Sequence, residues 1–242
     1  MSSAPRIYTH VDLSNERVFD LDDNAFGHAI RALRLQQGDH VRVFNGDGHE
    51  YLAQLIEVGK KQAQAKVVHS LQQDPTAPLT IRLGQVMSKG DRMDFTIQKA
   101  TELGINQITP LWSERCDVRL KGERLDKKCD HWQRVAISAC EQSGRNVVPQ
   151  IETPCSALEW AQHSQADLRL LLHPHQQQPL HQQQTPRTID LLVGPEGGFS
   201  ESEVAQLLAQ QFTGLRLGPR ILRTETAALA ALSVLQYLWG DF

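Results

Sequence analysis

The stretch "IDLLVGPEGGFSESE", residues 189–203, changes character twice within one short span. It opens on a nearly continuous apolar run, the pattern of a strand buried on both faces of a parallel sheet. Three glycines follow, Gly194, Gly197 and Gly198, with Pro195 stiffening the turn, so the backbone can approach a ligand closely. Ser200 and Glu203 then form the S-x-x-E signature of a capping box, opening a helix that carries Val204, Leu207 and Leu208. A glycine loop between strand and helix commonly receives a phosphate at the helix N-terminus. Glu196 argues against that ligand, because a carboxylate repels an anion. Neither G-x-x-x-x-G-K-[ST] nor G-x-G-x-x-G occurs in the chain. The carboxylate suits ribose hydroxyls, an amine or a cationic ligand. A tight turn whose glutamate caps the following helix is the structural alternative.

Outward from this loop the same rhythm repeats. "TIRLGQV" and "INQITPLW" read as strands, and "DRMDFTIQKATEL" as a helix with Met93, Ile97 and Ala100 on one side, stopped by Gly104. Leu125, Cys129, Trp132, Ala136 and Cys140 mark a long amphipathic helix ending at Ser143-Gly144. "LRLLL", "IDLLV" and "LRL" are further strands, and an apolar helix starts at Ala227. Alternating strands and helices predict an α/β domain with a mainly parallel sheet over residues 73–242. Before it, "HVRVF", "YLAQLIEV" and "AQAKVV" alternate with period two between Gly/Asn/Asp turns, predicting antiparallel hairpins in a small β-rich domain over residues 1–72. The boundary is placed at "QQDPTAP", around Asp74.

Composition narrows the function classes. Apolar residues make up 40% and charged residues 22%, an ordinary globular balance. No apolar signal segment is read at the start, and residues 227–239 are too short to span a membrane, so a soluble, cytoplasmic protein with no membrane partner is expected. Cys116, Cys129, Cys140 and Cys155 form no C-x-x-C pair, and no metal is expected. The His/Gln-rich "HPHQQQPLHQQQTP" after Leu172 reads as a surface loop. Net charge is -3, yet residues 81–150 carry 12 Lys/Arg against 9 Asp/Glu, while residues 151–242 carry 5 against 9. A basic middle on an acidic chain suits an RNA recognised by shape, or simply a solvated surface of mixed charge.

Ligands of open α/β sheets bind beyond the carboxyl ends of the strands, where "GPEGGFS" and "LGPRILRTETA" both lie. Together with "KATELGINQITPLWSERC", "ACEQSGRNVVPQI" and "HAIRALRLQQGDHVRVFNGDG", these stretches resemble the ordered motifs of the bacterial 16S ribosomal RNA uridine-N3 methyltransferases, members of the SPOUT superfamily. The resemblance spans nearly the whole chain. It implies a SPOUT-type, trefoil-knotted domain behind a PUA-like RNA-binding barrel, S-adenosylmethionine as cofactor, 16S ribosomal RNA of the small subunit as partner, and a homodimer. Carried over by motif, Leu172, His173, Gly194, Pro195, Glu196, Gly197, Gly198, Leu217, Gly218, Ile221, Leu222, Arg223, Thr226 and Ala227 are expected at the cofactor, largely through backbone contacts.

Methylating uracil at ring nitrogen 3 requires loss of a weakly acidic imide proton. Arginines beside the uracil oxygens would stabilise the developing anion, with a carboxylate or water taking the proton. Arg145 and Arg223 are the expected arginines, and Glu141 and Glu225 the candidate carboxylates. Glu141 pairing with Arg145 one turn on, and Glu225 on an exposed first turn, are the structural alternatives. A paired base must be exposed before it reacts, so an unpaired or flipped uridine is expected. Arg31, Arg34, Lys89, Arg92, Arg119 and Arg124 are the candidate RNA contacts. A nucleotide-phosphate enzyme is disfavoured by Glu196. A non-catalytic RNA-binding or ribosome-assembly factor is the competing reading, weakened by the presence of both cofactor loops.

Overall fold

The protein is described by a computed structural model covering residues 4–13, 17–75, 77–118, 120–173 and 184–242. It divides into two units, one formed by Met1–Thr76 with Ile137–Val148, the other by Ala77–Ala136 with Pro149–Phe242.

The first unit is built on β1 (Arg6–Tyr8), β2 (Val18–Asp20), β3 (His40–Phe44), β4 (His49–Val58) and β5 (Ala63–Gln73), in sheet order β1-β3-β4-β5-β2. The predicted hairpins are present, since β3 pairs antiparallel with β4 and β4 with β5. Alternation does the work: Val41, Val43, Ala53, Leu55, Ala63, Ala65 and Val67 are all buried in one cluster. Short β1 and β2 went unread because three residues are too few to display a period; β1 pairs parallel with β3. A short helix α1 (Asp23–Phe26), capped by Asp22, runs into a π-helical turn, Gly27–Ala32.

A linear division of the chain does not foresee residues 137–148 in this unit. They are held there by polar chemistry. Tyr8 N donates to Glu141 Oε1 at 3.0 Å, and Arg6 Nη2 donates to Arg145 O at 2.8 Å and Asn146 Oδ1 at 3.0 Å. Asn146 in turn donates to both oxygens of Asp74.

The second unit contains a seven-stranded sheet made of β6 (Thr80–Val86), β7 (Gln107–Trp112), β8 (Gln150–Ile151), β9 (Cys155–Ser156), β10 (Leu168–Leu172), β11 (Thr188–Val193) and β12 (Thr213–Leu215). Its order is β12-β10-β11-β6-β7-β8, with β9 also on β7, and every pairing is parallel. The last strand is Thr213–Leu215, two residues earlier than the predicted "LRL"; Leu215 and Leu217 alternate in either register, and pairing with β10 decides between them. Inside the core, buried Asp190 accepts from Arg82 Nε at 2.6 Å and Nη2 at 2.5 Å on the neighbouring strand. Burial of that carboxylate is tolerable only because both its oxygens are paired.

Helices α2 (Arg92–Glu102), α3 (Glu123–Ser143), α4 (Ala157–Gln162), α5 (Glu201–Ala209) and α6 (Thr224–Trp239) connect or follow these strands. In α2 the predicted stripe is buried: Met93, Ile97 and Ala100, joined by Thr96 and Thr101. The predicted capping box opens α5, with Ser200 and Glu203 bonded reciprocally. Helix α6 begins one turn before the predicted Ala227 and packs against α2. Because all the strands are parallel, the loops leaving β6, β7, β11 and β12 emerge along one edge of the sheet.

Candidate active site

The site grows from the loop at 194–199. Its carbonyls are tied down from two sides. Buried Thr224, the first residue of α6, donates from Oγ1 to Gly194 O at 2.8 Å and accepts from Gln85 Nε2, at the end of β6, at 2.9 Å. Arg115, leaving β7, donates from Nη1 to Gly197 O at 3.0 Å and Phe199 O at 3.4 Å. Glu203, buried in the capping box, uses its other oxygen to accept from Glu114 N at 2.9 Å. Two neighbouring segments, the start of α6 and the chain leaving β7, thus hold the loop in place, the condition for precise binding. Gly194 is dictated by close approach, since a Cβ there would meet the Phe199 ring at 3.0 Å. Gly218, in the second loop, is dictated by a φ of +73° and accepts from Arg216 Nε through its carbonyl.

Glu196 projects from this frame toward Arg92, whose Nη1 lies 2.5 Å from Oε1; the two side chains are 40% and 42% exposed. Helix α2 therefore supplies the cation that the loop carboxylate faces in this structure. The pair lines a cavity of about 900 Å³ shared with Lys89, Phe95, Asp117, Arg223, Glu225 and Thr226. Lys89 Nζ is paired with Asp117 at 2.7 Å, both largely exposed. Arg223 is the N-cap residue of α6 and is exposed. Glu225, in the first turn of α6, is half-buried rather than exposed, and its Oε2 is buried with no hydrogen-bond partner among the described residues.

The remaining candidates fall as follows. Leu172 ends β10 opposite Leu215, and His173 N donates to Leu215 O at 3.1 Å, joining the loop after β10 to the end of β12. His173 and Phe199 line a smaller cavity of about 250 Å³ beside α5. Pro195 is buried, while Gly197 and Gly198 are exposed. Leu217 packs on the core and Leu222 is half-buried, whereas Ile221 is 89% exposed and offers a pocket only its backbone. Ala227 lies half-buried in the first turn of α6, its N–H bonded to Arg223 O. Arg145 and Glu141 belong to the first unit. Glu141 accepts from Tyr8 N and lies 3.8 Å from His28 Nδ1; desolvation pushes its carboxyl above the usual range, against the pull of the Tyr8 bond. Arg31 and Arg34 are exposed in the first unit, Arg31 with its guanidinium 5.3 Å from the Phe26 ring centre. Arg124 is exposed at the start of α3, and Arg119 lies outside the described residues, as does most of the His/Gln-rich stretch.

Gln85, Arg115 and Thr224 were absent from the sequence reading. Thr224 and Arg115 sit inside quoted motifs, which was the available signal; Gln85 ends an apolar strand and gave none. The cysteines are free and no metal-binding group occurs among the described residues. Burial pushes the Cys140 thiol up to about 12, against the pull of Arg145 and Arg6, which marks it as packing rather than reactive.

Comparison with known proteins gives this geometry a family. Residues 75–236 match the RNA methyltransferase domain family and residues 21–68 the RNA methyltransferase PUA domain family. Ribosomal RNA small subunit methyltransferase E of Buchnera aphidicola is 35% identical over 98% of this chain and 95% of its own, and that of Bacillus subtilis 30% identical over 95% and 93%. Among solved structures, ribosomal RNA small subunit methyltransferase E from Neisseria gonorrhoeae, bound to S-adenosyl methionine, superposes with a TM-score of 0.93 at 42% identity over 99% of both chains. A putative methyltransferase from Legionella pneumophila, in complex with the same cofactor, does so with a TM-score of 0.95 at 39% identity over 99% of both. Similarity of this depth, running over nearly the whole chain, establishes that the chain belongs to the ribosomal RNA small subunit methyltransferase E family.

Proposed function

We propose that this protein transfers a methyl group from S-adenosylmethionine to ring nitrogen 3 of one uridine in the 16S ribosomal RNA of the small subunit, in the cytoplasm. The observation that carries the reading is the shared cavity: the carboxylate of the glycine loop, an exposed arginine and an under-bonded glutamate line one space. S-adenosylmethionine supplies the methyl group when bound. The residues suit it: the loop at 194–199 carries a carboxylate and no cation, which disfavours phosphate and favours a ligand positive at sulfur and bearing hydroxyls. Gly194, Glu196, Gly197 and Gly198, with the backbone from Leu217 to Leu222, would hold it, and Leu172 and His173 would close the side. The trefoil knot that the resemblance implies belongs to the same reading.

Arg223, rather than Arg145, takes the role of stabilising charge on the uracil oxygens, because Arg223 lines the cavity that contains Glu196. Glu225 accepts the imide proton. Its buried Oε2 has no donor among the described residues, and an imide N–H is a donor of the right kind. Glu141 instead positions the end of α3 on β1 through Tyr8 N. Lys89 and Arg92, at the cavity, hold the RNA backbone beside an unpaired uridine, and Arg31 and Arg34 are RNA contacts of the first unit. A homodimer is supported by the outward side of α6, where Val234, Tyr237 and Leu238 repeat at helical spacing and stay exposed.

The test is methyl transfer to small subunits from cells lacking the protein, followed by mass spectrometry of the nucleosides. N3-methyluridine at a single position is expected. No transfer, or a methyl on another atom, overturns the proposal.

A further inference from the structure

Helix α2 breaks its own amphipathic rule at one position. Its buried side is Met93, Thr96, Ile97, Ala100 and Thr101, and the opposite side should be polar. Phe95 stands on that opposite side, 46% exposed, and it lines the cavity that holds Arg92, Arg223 and Glu225. An aromatic ring kept in water among charged groups leaves unburied the apolar area that phenylalanine normally hides. The surrounding chemistry says what would cover it. A cation for carbonyl oxygens and an acceptor with no donor among the described residues are the edge complement of an imide ring; a flat apolar surface is the complement of its face.

We infer that Phe95 is the stacking platform for the target uracil, holding the flipped ring by its face while Arg223 and Glu225 address its edge. The inference rests on the methyl-transfer reading above and adds to it the residue that positions the base. Unpaired bases are characteristically held on aromatic side chains, and such stacking contributes about a 10- to 100-fold effect per base. It also restricts the substrate class to planar pyrimidines presented out of a helix.

The test separates stacking from scaffolding. Small subunits are assembled from 16S RNA carrying either uridine or dihydrouridine at the methylated position. Dihydrouridine keeps both carbonyls and the N3–H but has a puckered ring with no aromatic face. For the wild-type protein, dihydrouridine should lower kcat/KM about 10- to 100-fold. Phe95→Ala should show a similar loss on uridine and little further loss on dihydrouridine, with S-adenosylmethionine affinity and thermal unfolding unchanged. Phe95→Trp should restore activity on uridine, and Phe95→Leu, which keeps bulk without a π-face, should not. Equal penalties for dihydrouridine in wild type and Phe95→Ala would overturn the inference, as would full activity of Phe95→Leu. So would a loss of activity that tracks dissociation into monomers, which would assign Phe95 to contact with a second copy. Failure of the wild type to form N3-methyluridine on the uridine substrate would refute the methyl-transfer reading and this inference with it.

Discussion

Each unit contains an arginine–glutamate contact, and the two are chemically alike but physically opposite. In the first unit Glu50 is 1% exposed and receives Arg6 on one oxygen and Arg42 on the other, the latter at 2.5 Å. In the second, Glu196 meets Arg92 at 2.5 Å with both side chains about two-fifths in solvent. Burial separates them. A carboxylate out of water has a large desolvation cost that only its partners offset, so those partners become obligatory. A half-exposed pair gains little from its partner and is screened by salt, so water, cofactor or RNA can replace that partner at small cost. The first contact fixes the edge of a sheet. The second leaves two charges available at the mouth of a cavity.

The sharpest way to break this contrast is Glu50→Ala. It strands Arg6, which burial already holds below the usual arginine range, and should cost about 3–5 kcal/mol in denaturant unfolding. A loss below about 1 kcal/mol would remove the distinction. Next in size is Thr224→Val, which deletes both the donor to Gly194 O and the acceptor for Gln85 in a buried setting. A loss of about 1–3 kcal/mol is expected, with weaker S-adenosylmethionine binding by calorimetry; Thr224→Ser should restore both. Arg92→Ala should change stability by less than about 1 kcal/mol while lowering methyl transfer, the signature of a contact kept for ligands. Stability loss matching that of Glu50→Ala would refute it.

The smallest expected effect concerns pH. At Asp94, desolvation raises the carboxyl pKa, but hydrogen bonds from His131, Lys128 and Trp132 outweigh it and hold the group below its ordinary value. Its stabilisation is therefore complete above the unfolded value of about 4 and disappears as pH falls through the lower folded value. Asp94→Asn should lower stability slightly at neutral pH, and the difference from the wild type should close as pH falls through the folded value, flattening the acid limb of the unfolding titration.

Much of the site was legible because it is local. The loop at 194–199, the loop at 217–223 and the capping box at Ser200 each announce themselves within a few residues, through glycines, a proline and a hydroxyl-to-carboxylate spacing. The stripes of α2 and α3 were equally readable, since a 3.6-residue period needs no partner to be visible. What escaped was relational. Gln85 and Thr224 are 139 positions apart and meet only when α6 returns beside β6. Arg115 reaches the glycine loop across 82 positions. Residues 137–143 read as the end of one long helix, yet polar bonds with Arg6, Tyr8 and Asp74 hold them, with residues 144–148 after them, in the first unit.

By itself, then, the sequence determined the kind of sheet, the β-rich start of the chain and the candidate loops at 194–199 and 217–223, because period, glycine placement and the sign of a charge are properties of single segments. Only the tertiary structure decided that Glu196 faces Arg92, that Arg223 and Glu225 share a cavity, that Glu141 is bonded to Tyr8, and that Phe95 stays in water. Those facts depend on which distant faces pack together, and pairing between remote segments leaves no periodic trace in either one.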